Sequence, residues 1–226
     1  MKKSSKALIY GASPLGKSIK LILDSDDEIE VIGFIDDYKE RGSKFCGLDI
    51  IGDFSDLVKL KEQGINAIFL GIGYTNMKLR GELFYRVKEL GFITPNVVHH
   101  SAIIDESAIL GSGDAVLAGV IIDNGVEIGD NVFLHIGSIV GHDTKIHENV
   151  FISVGVTLAG FVEVHEETFI GAGSTIMNQI TIGRNAVIGA GSVVINDVPD
   201  NVVVAGVPAR IIRYTMLEKE KNERKR

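Results

Sequence analysis

Cysteine is nearly absent: Cys46 stands alone among 226 residues, so no internal disulfide can form. A secretory leader is not expected either, because the opening MKKSSK is followed by only the short apolar stretch ALIYGA. Together these two absences predict a cytoplasmic protein. No run approaches the roughly 20 apolar residues that a spanning helix needs, so membrane insertion is not expected. Positive charge is in deficit, with 23 Lys and Arg against 30 Asp and Glu and a formal net charge of −7 at pH 7. That balance argues against general binding of nucleic acid or anionic membrane, both of which need basic patches to offset phosphate charge. Small anionic ligands are not excluded, since a local site can hold them. The 45% hydrophobic content is ordinary for a soluble chain with a packed core.

What is abundant is periodicity. From Ile104 to Val194 an aliphatic residue occupies every sixth position without a miss, through Val116, Leu134, Ile152, Ile170 and Ile188. Neither a 3.6-residue helix nor a simple alternating strand has a period of six. A parallel β-helix does, with each short strand sending one aliphatic inward along a prism edge. Three hexads make an 18-residue coil, which places residues eighteen apart above one another at the ~4.8 Å spacing of paired strands. Glycine often follows the aliphatic (Gly111, Gly129, Gly141, Gly171, Gly183, Gly189), and small or β-branched residues precede it by two; both suit tight corners and pleated surfaces.

Ahead of the repeats, strand-like and helix-like stretches alternate. Strands are expected at Ala7 to Tyr10, Ile29 to Ile35 and Ala67 to Leu70, helices at Leu15 to Leu23, Phe54 to Gln63 and Met77 to Leu90, and a hairpin at Cys46 to Ile51. This is the βαβ pattern of a small parallel-sheet domain. The expected organisation is therefore a Rossmann-like α/β domain over residues 1–96, an all-β parallel β-helix over 97–214 and a charged tail over 215–226, entered at Pro95 to His100 without a flexible linker.

The first strand runs into Gly11-Ala12-Ser13-Pro14-Leu15-Gly16-Lys17-Ser18, which satisfies the GxxxxGK[ST] expression of a nucleotide-triphosphate loop. That reading is rejected, because the α/β part ends within about a hundred residues and leaves no room for the larger sheet and its magnesium-binding acid. The dinucleotide pattern GxGxxG fails at Ser13. Backbone N–H groups at a helix start, with Lys17 one turn in, nonetheless favour a phosphate. Asp36 and Asp37 end the second strand about twenty residues later, where α/β nucleotide binders place an acid for ribose or base. Gly73, after the third strand, brings another glycine loop to the same edge. Gly11, Ser13, Gly16, Lys17, Asp36, Asp37 and Gly73 are thus the expected residues for a nucleotide-bearing ligand.

Among six histidines, His142 has Asp143 beside it, with Asn124 one coil below and Gly160 one coil above. An imidazole oriented by a carboxylate suits a general base. Gly160 has no side chain to keep a ligand from its N–H, which suits a donor to a developing oxyanion. His147 and His165 also lie eighteen apart and should stack at the surface with no assigned task beyond adventitious metal. A zinc hydratase of the carbonic anhydrase type would need a third ligand thirty-six residues before His142, and that position is Glu106; no metal is therefore expected.

These residues resemble the bacterial hexapeptide-repeat sugar acetyltransferases, a family that includes sialic acid O-acetyltransferases and N-acetyltransferases of nucleotide-linked 4-amino sugars. The resemblance rests on Ile9 to Lys17, Phe34 to Asp37, Val140 to Asp143, Leu158 to Gly160 and the AGVPAR closure at Ala205 to Arg210. It implies a left-handed β-helix and a homotrimer, with acetyl-CoA as cosubstrate in the groove between neighbouring prisms. Gly160, Ala172, Ala190 and Arg210 are implied to flank the CoA, and the sugar nucleotide to rest partly on the amino-terminal domain. The implied reaction is acetylation of the 4-amino group of a nucleotide-linked deoxyamino sugar for surface-glycan synthesis, by direct attack with His142 as base. O-acetylation of a sialic acid or related sugar is the alternative. Two positions depart from the family pattern: Phe151 stands where many relatives carry a second histidine, and Pro14-Leu15 replaces a glycine-histidine pair.

Overall fold

The computed structural model describes residues 5–215. The first four residues and the charged segment 216–226, most of the expected tail, lie outside them.

The amino-terminal domain follows the expected alternation closely. It comprises β1 (Ser5–Tyr10), α1 (Pro14–Leu23), β2 (Ile29–Ile35), β3 (Lys44–Phe45), β4 (Leu48–Gly52), α2 (Leu57–Glu62), β5 (Ala67–Leu70) and α3 (Met77–Glu89). The expected helix at Phe54 to Gln63 divides into a 3₁₀ turn at Phe54–Asp56 and α2. Asp53 caps that turn, accepting from Ser55 N while the Asp56 carboxylate accepts from Asp53 N, which fixes the tighter start. The sheet order is β3-β4-β2-β1-β5, with β1 parallel to both β2 and β5. Chain direction across the sheet reverses at β1, so its carboxyl end, beside that of β5, is the switch point at which such sheets open a crevice.

The rest of the chain is a three-faced prism of two-residue rungs. One face stacks Ala115, Phe133, Phe151, Phe169 and Val187; the second stacks Ile121, Ile139, Thr157 and Thr175; the third stacks Glu127, Lys145, Glu163 and Thr181. Every pairing is parallel and offset by eighteen, as the hexads require. The inward aliphatics are buried from Val116 onward, and the residues two before them (Val120, Val126, Val132, Ser138, Thr144, Val150) are buried as well. Each hexad therefore contributes two side chains to the core. The final coil shortens by two, since Val187 pairs with Val203, and an antiparallel hairpin of Val202–Gly206 and Ala209–Tyr214 closes the stack.

The corners differ from the expectation drawn from glycine positions. Every sixth residue from Gly113 to Gly191 has positive φ, three positions after the inward aliphatic rather than one. Asparagine, aspartate and even phenylalanine take this left-handed conformation at some of those corners. The glycines directly after the aliphatic serve another purpose: a Cβ on Gly141 would lie 2.8 Å from Ala159 C, and one on Gly171 would lie 2.6 Å from Ala190 N. They let successive coils approach.

One corner ladder joins the two domains. The buried Arg80 of α3 donates to Asn149 Oδ1 at 2.9 Å and to the Asn131 carbonyl at 2.5 Å, and Asn149 donates back to the Met77 carbonyl at 2.7 Å. Tyr74 stacks on Phe169 with ring centroids 4.2 Å apart, and Phe151 is buried between Phe133 and Phe169. Phe151 is thus part of the apolar seam beneath the α/β domain, a role a histidine would fill poorly.

Candidate active site

His142 and Asp143 occupy the corner between the second and third prism faces. Asp143 has φ +55°, which turns its carboxylate back so that Oδ2 accepts from His142 Nδ1 at 2.9 Å. Donation from Nδ1 leaves the Nε2 lone pair free. The backbone beyond the pair is held by Asp143 N donating to the Asn124 carbonyl and by the buried Thr144 hydroxyl donating to the Ala159 carbonyl. Both side chains are about half exposed.

Gly160 lies directly over the imidazole: an added Cβ would sit 2.6 Å from His142 Cε1. The Gly160 carbonyl accepts from Gln179 N, whereas its N–H donates to no group among the described residues. A proton acceptor and an unused amide donor are therefore adjacent on one corner. Phe161, which the sequence reading did not single out, stands edge-on to His142 with centroids 5.0 Å apart at 87°. It takes φ +57° while more than half exposed, a costly corner conformation for a bulky side chain. Its signal in the sequence is a phenylalanine at a corner that the coils below and above fill with Gly125, Asp143 and Gln179.

The remaining expected CoA-flanking residues are on other edges. Ala172 and Ala190 stack on the exposed corner between the first and second faces, and Arg210 is on the closing hairpin. One chain does not bring them to His142.

The crevice residues do converge, but they are engaged with one another. Ala12 N donates to Asp36 Oδ2 at 2.9 Å, Leu15 N and Gly16 N donate to Ser13 Oγ, and Lys17 N donates to the Ser13 carbonyl. The helix start expected to seat a phosphate has most of its backbone donors taken by Ser13 and Asp36; among the described residues the Ser13 N–H has no acceptor. Gly11, Gly16 and Gly71 are close-packing glycines, with a Cβ on Gly11 reaching 2.9 Å from Gly71 O and one on Gly71 reaching 2.5 Å from Gly16 Cα. Asp36 Oδ1 also accepts from Tyr38 N and Lys39 N, and Asp37 accepts from Tyr10 Oη at 2.6 Å and from Phe54 N. Burial and the Asp37 carboxylate push the Tyr10 hydroxyl far above its ordinary range. Lys17 is exposed. Gly73 leads into Tyr74, which lines a cleft of about 900 Å³ together with Asn76, Lys78, Glu167, Arg184 and Arg213.

Residues 6–87 match the family model described as the PglD N-terminal domain, and residues 125–160 and 161–196 match the bacterial transferase hexapeptide (six repeats). Among solved structures, perosamine N-acetyltransferase from Caulobacter crescentus, in complex with CoA and GDP-perosamine, is similar over 92% of this chain and 96% of its own, with 33% identity and a TM-score of 0.86. The chain belongs to the hexapeptide-repeat sugar acetyltransferases. The acetyltransferase domain of PglB from Neisseria gonorrhoeae, in complex with acetyl coenzyme A, matches at 31% identity over 92% of this chain and all of that one, with a TM-score of 0.86. Comparison with curated proteins gives no match. In this family of acetyltransferases the coils form a left-handed β-helix carried behind a Rossmann-like domain, and the same two parts are present here. Two of the Caulobacter structures were solved with a histidine replaced, by asparagine and by alanine, each in complex with CoA and GDP-perosamine. No helix among the described residues is long and apolar enough to cross a membrane.

Proposed function

We propose that this acetyltransferase moves the acetyl group of acetyl-CoA to the 4-amino group of a nucleotide-linked deoxyamino sugar, by direct attack within a ternary complex. The observation that carries this reading is the His142-Asp143-Gly160 corner, with Nδ1 tied to the carboxylate at 2.9 Å and an unused amide N–H one coil above. The amine nitrogen attacks the thioester carbonyl as His142 Nε2 takes its proton. Asp143 holds the ring and supports the imidazolium that forms. The Gly160 N–H donates to the oxygen on which negative charge develops. Collapse breaks the C–S bond, and the proton on His142 passes to the departing CoA sulfur.

The placement of Ala172 and Ala190 on a different corner supports a homotrimer in which CoA lies between prisms, one contributing His142 and its neighbour those alanines. Gly11, Ser13, Gly16, Lys17, Asp36, Asp37 and Gly73 are assigned to the sugar nucleotide. The filled donors at the helix start leave Lys17 and the Ser13 N–H as the contacts open to phosphate. The Caulobacter relative's GDP-perosamine and the Neisseria relative's acetyl coenzyme A support the two substrate classes. The test is thiol release from acetyl-CoA against UDP-, dTDP- and GDP-linked 4-amino sugars, with free sialic acid as the hydroxyl acceptor. Release with a 4-amino sugar nucleotide is expected, and release with sialic acid alone would replace this reading by O-acetylation.

A further inference from the structure

His147 and His165 occupy equivalent rungs of successive coils on the corner that follows the third prism face, away from the His142 corner. Their rings stack with centroids 4.7 Å apart and planes within 12°. Glu163, two residues before His165 and outward on the third face, turns its carboxylate between them. Its Oε1 is 2.9 Å from His147 Nε2 and 3.9 Å from His165 Nε2. The three ligand-capable atoms lie within 4.8 Å of one another.

A hydrogen bond between His147 and Glu163 accounts for the first distance alone. It leaves His165 Nε2, 3.9 Å from the same oxygen, without a hydrogen bond to it. We propose that His147, Glu163 and His165 form a binding site for a divalent ion of the zinc class, clamping two adjacent coils of the prism.

Donor type and geometry both support the assignment. Two imidazoles and one carboxylate suit zinc rather than the hard, oxygen-seeking ions magnesium and calcium. A tetrahedral zinc with bonds of about 2.0–2.2 Å keeps its ligands about 3.3–3.6 Å apart, between the two separations seen here. Small side-chain rotations close the difference, leaving the fourth position to water. The backbone needs no change: His147 N donates to the Val164 carbonyl at 2.9 Å and His165 N to the Ile182 carbonyl at 2.8 Å, so the ladder presets both rings. The same ladder positions one coil below and above are Gly129 and Gly183, which place no side chain beside the pair.

An outer contact favours the correct tautomer. Glu166 Oε2 is 3.7 Å from His165 Nδ1, and Glu166 is itself ion-paired with Arg184. A carboxylate on the Nδ1 side draws the ring proton there and leaves Nε2 as the ligand. Lys145, ion-paired with Glu127 at 3.5 Å on the same face, is the cation that competes for Glu163.

The test is zinc titration of the full chain, first stripped with chelator, in competition with a chromophoric indicator. His147→Gln, His165→Gln and Glu163→Gln are compared with Cys46→Ser, which removes the lone thiol, and circular dichroism checks that each variant folds. One zinc per chain at micromolar concentration is expected for the wild type and for Cys46→Ser. Either histidine replacement should weaken it at least about tenfold. Cobalt in place of zinc should give tetrahedral visible bands without a thiolate charge-transfer band. Absence of zinc uptake at micromolar concentration, or uptake that survives both histidine replacements, overturns the proposal.

Discussion

His142 Nδ1 donates to the carboxylate of its own sequence neighbour, Asp143, at 2.9 Å, and it does so because Asp143 sits at a left-handed corner. In an extended strand, adjacent side chains point to opposite faces and could not meet this way. The prism supplies such a corner every sixth residue, and at this one it holds an acid. Gly160, eighteen residues on, is placed over the ring by the same repeat.

That placement makes Gly160 sensitive to a single methyl group. Gly160→Ala should push the imidazole from its seat and lower kcat about 10²-fold, the scale of a displacement near 1 Å, with the fold retained. Steady-state kinetics beside far-ultraviolet circular dichroism checks this. Unchanged kcat would remove Gly160 from the account.

Phe161 trades stability for position. Phe161→Asn relieves a bulky side chain of its left-handed backbone and should raise unfolding free energy by about 1 kcal/mol. The same change removes the edge contact to His142 and should lower turnover. Chemical denaturation and acetyl-transfer assays on one preparation read both effects, and a variant that is less stable contradicts the strain argument.

Asp114 predicts a pH dependence. It is buried, its Oδ1 accepts from Val132 N, its Oδ2 has no hydrogen-bond partner among the described residues, and burial raises its pKa to about 7. Folded Asp114 therefore keeps its proton between about pH 4 and 7, whereas the unfolded chain, with an aspartate pKa near 3.9, has lost it. The folded state binds more protons across that window, so this group's contribution to stability falls as pH rises through it and stays low above. Asp114→Asn should flatten that decline, which denaturation midpoints at pH 5, 6, 7 and 8 would show. Parallel curves for variant and wild type would contradict it.

Asp36 ties Ala12 N into the loop and turns the chain at Tyr38 and Lys39. Asp36→Ala should raise KM for the sugar nucleotide and leave KM for acetyl-CoA unchanged. An unaltered sugar-nucleotide KM would mean that the ligand rests elsewhere.

The parts of this molecule readable in sequence are those set by period. Ile104 to Val194 fixes the coil, and counting eighteens from Val140 puts His142 under Gly160 and His147 under His165. The strands Ile29–Ile35 and Ala67–Leu70 were equally legible, because β-branched and aromatic runs bounded by turn residues leave little alternative. Side-chain direction was not legible. Glu163 meets His147 and His165 only because an outward rung residue and two corner residues converge across coils. The Ser13 hydroxyl fills the helix-start donors that a glycine-rich loop suggests are open, and nothing in the spacing separates those cases. The left-handed corners were hidden as well, since Asn131, Asp143, Phe161 and Gln179 share the conformation without sharing a chemistry.

The base assigned to His142 is tested most directly by acetyl-CoA thiol release with the best nucleotide-linked 4-amino sugar, comparing wild type with His142→Ala at equal protein and matched fold. A loss of about 10² to 10⁴ in kcat, with both KM values little changed, is the expected result for a missing general base. Turnover near the wild-type value would contradict the assignment.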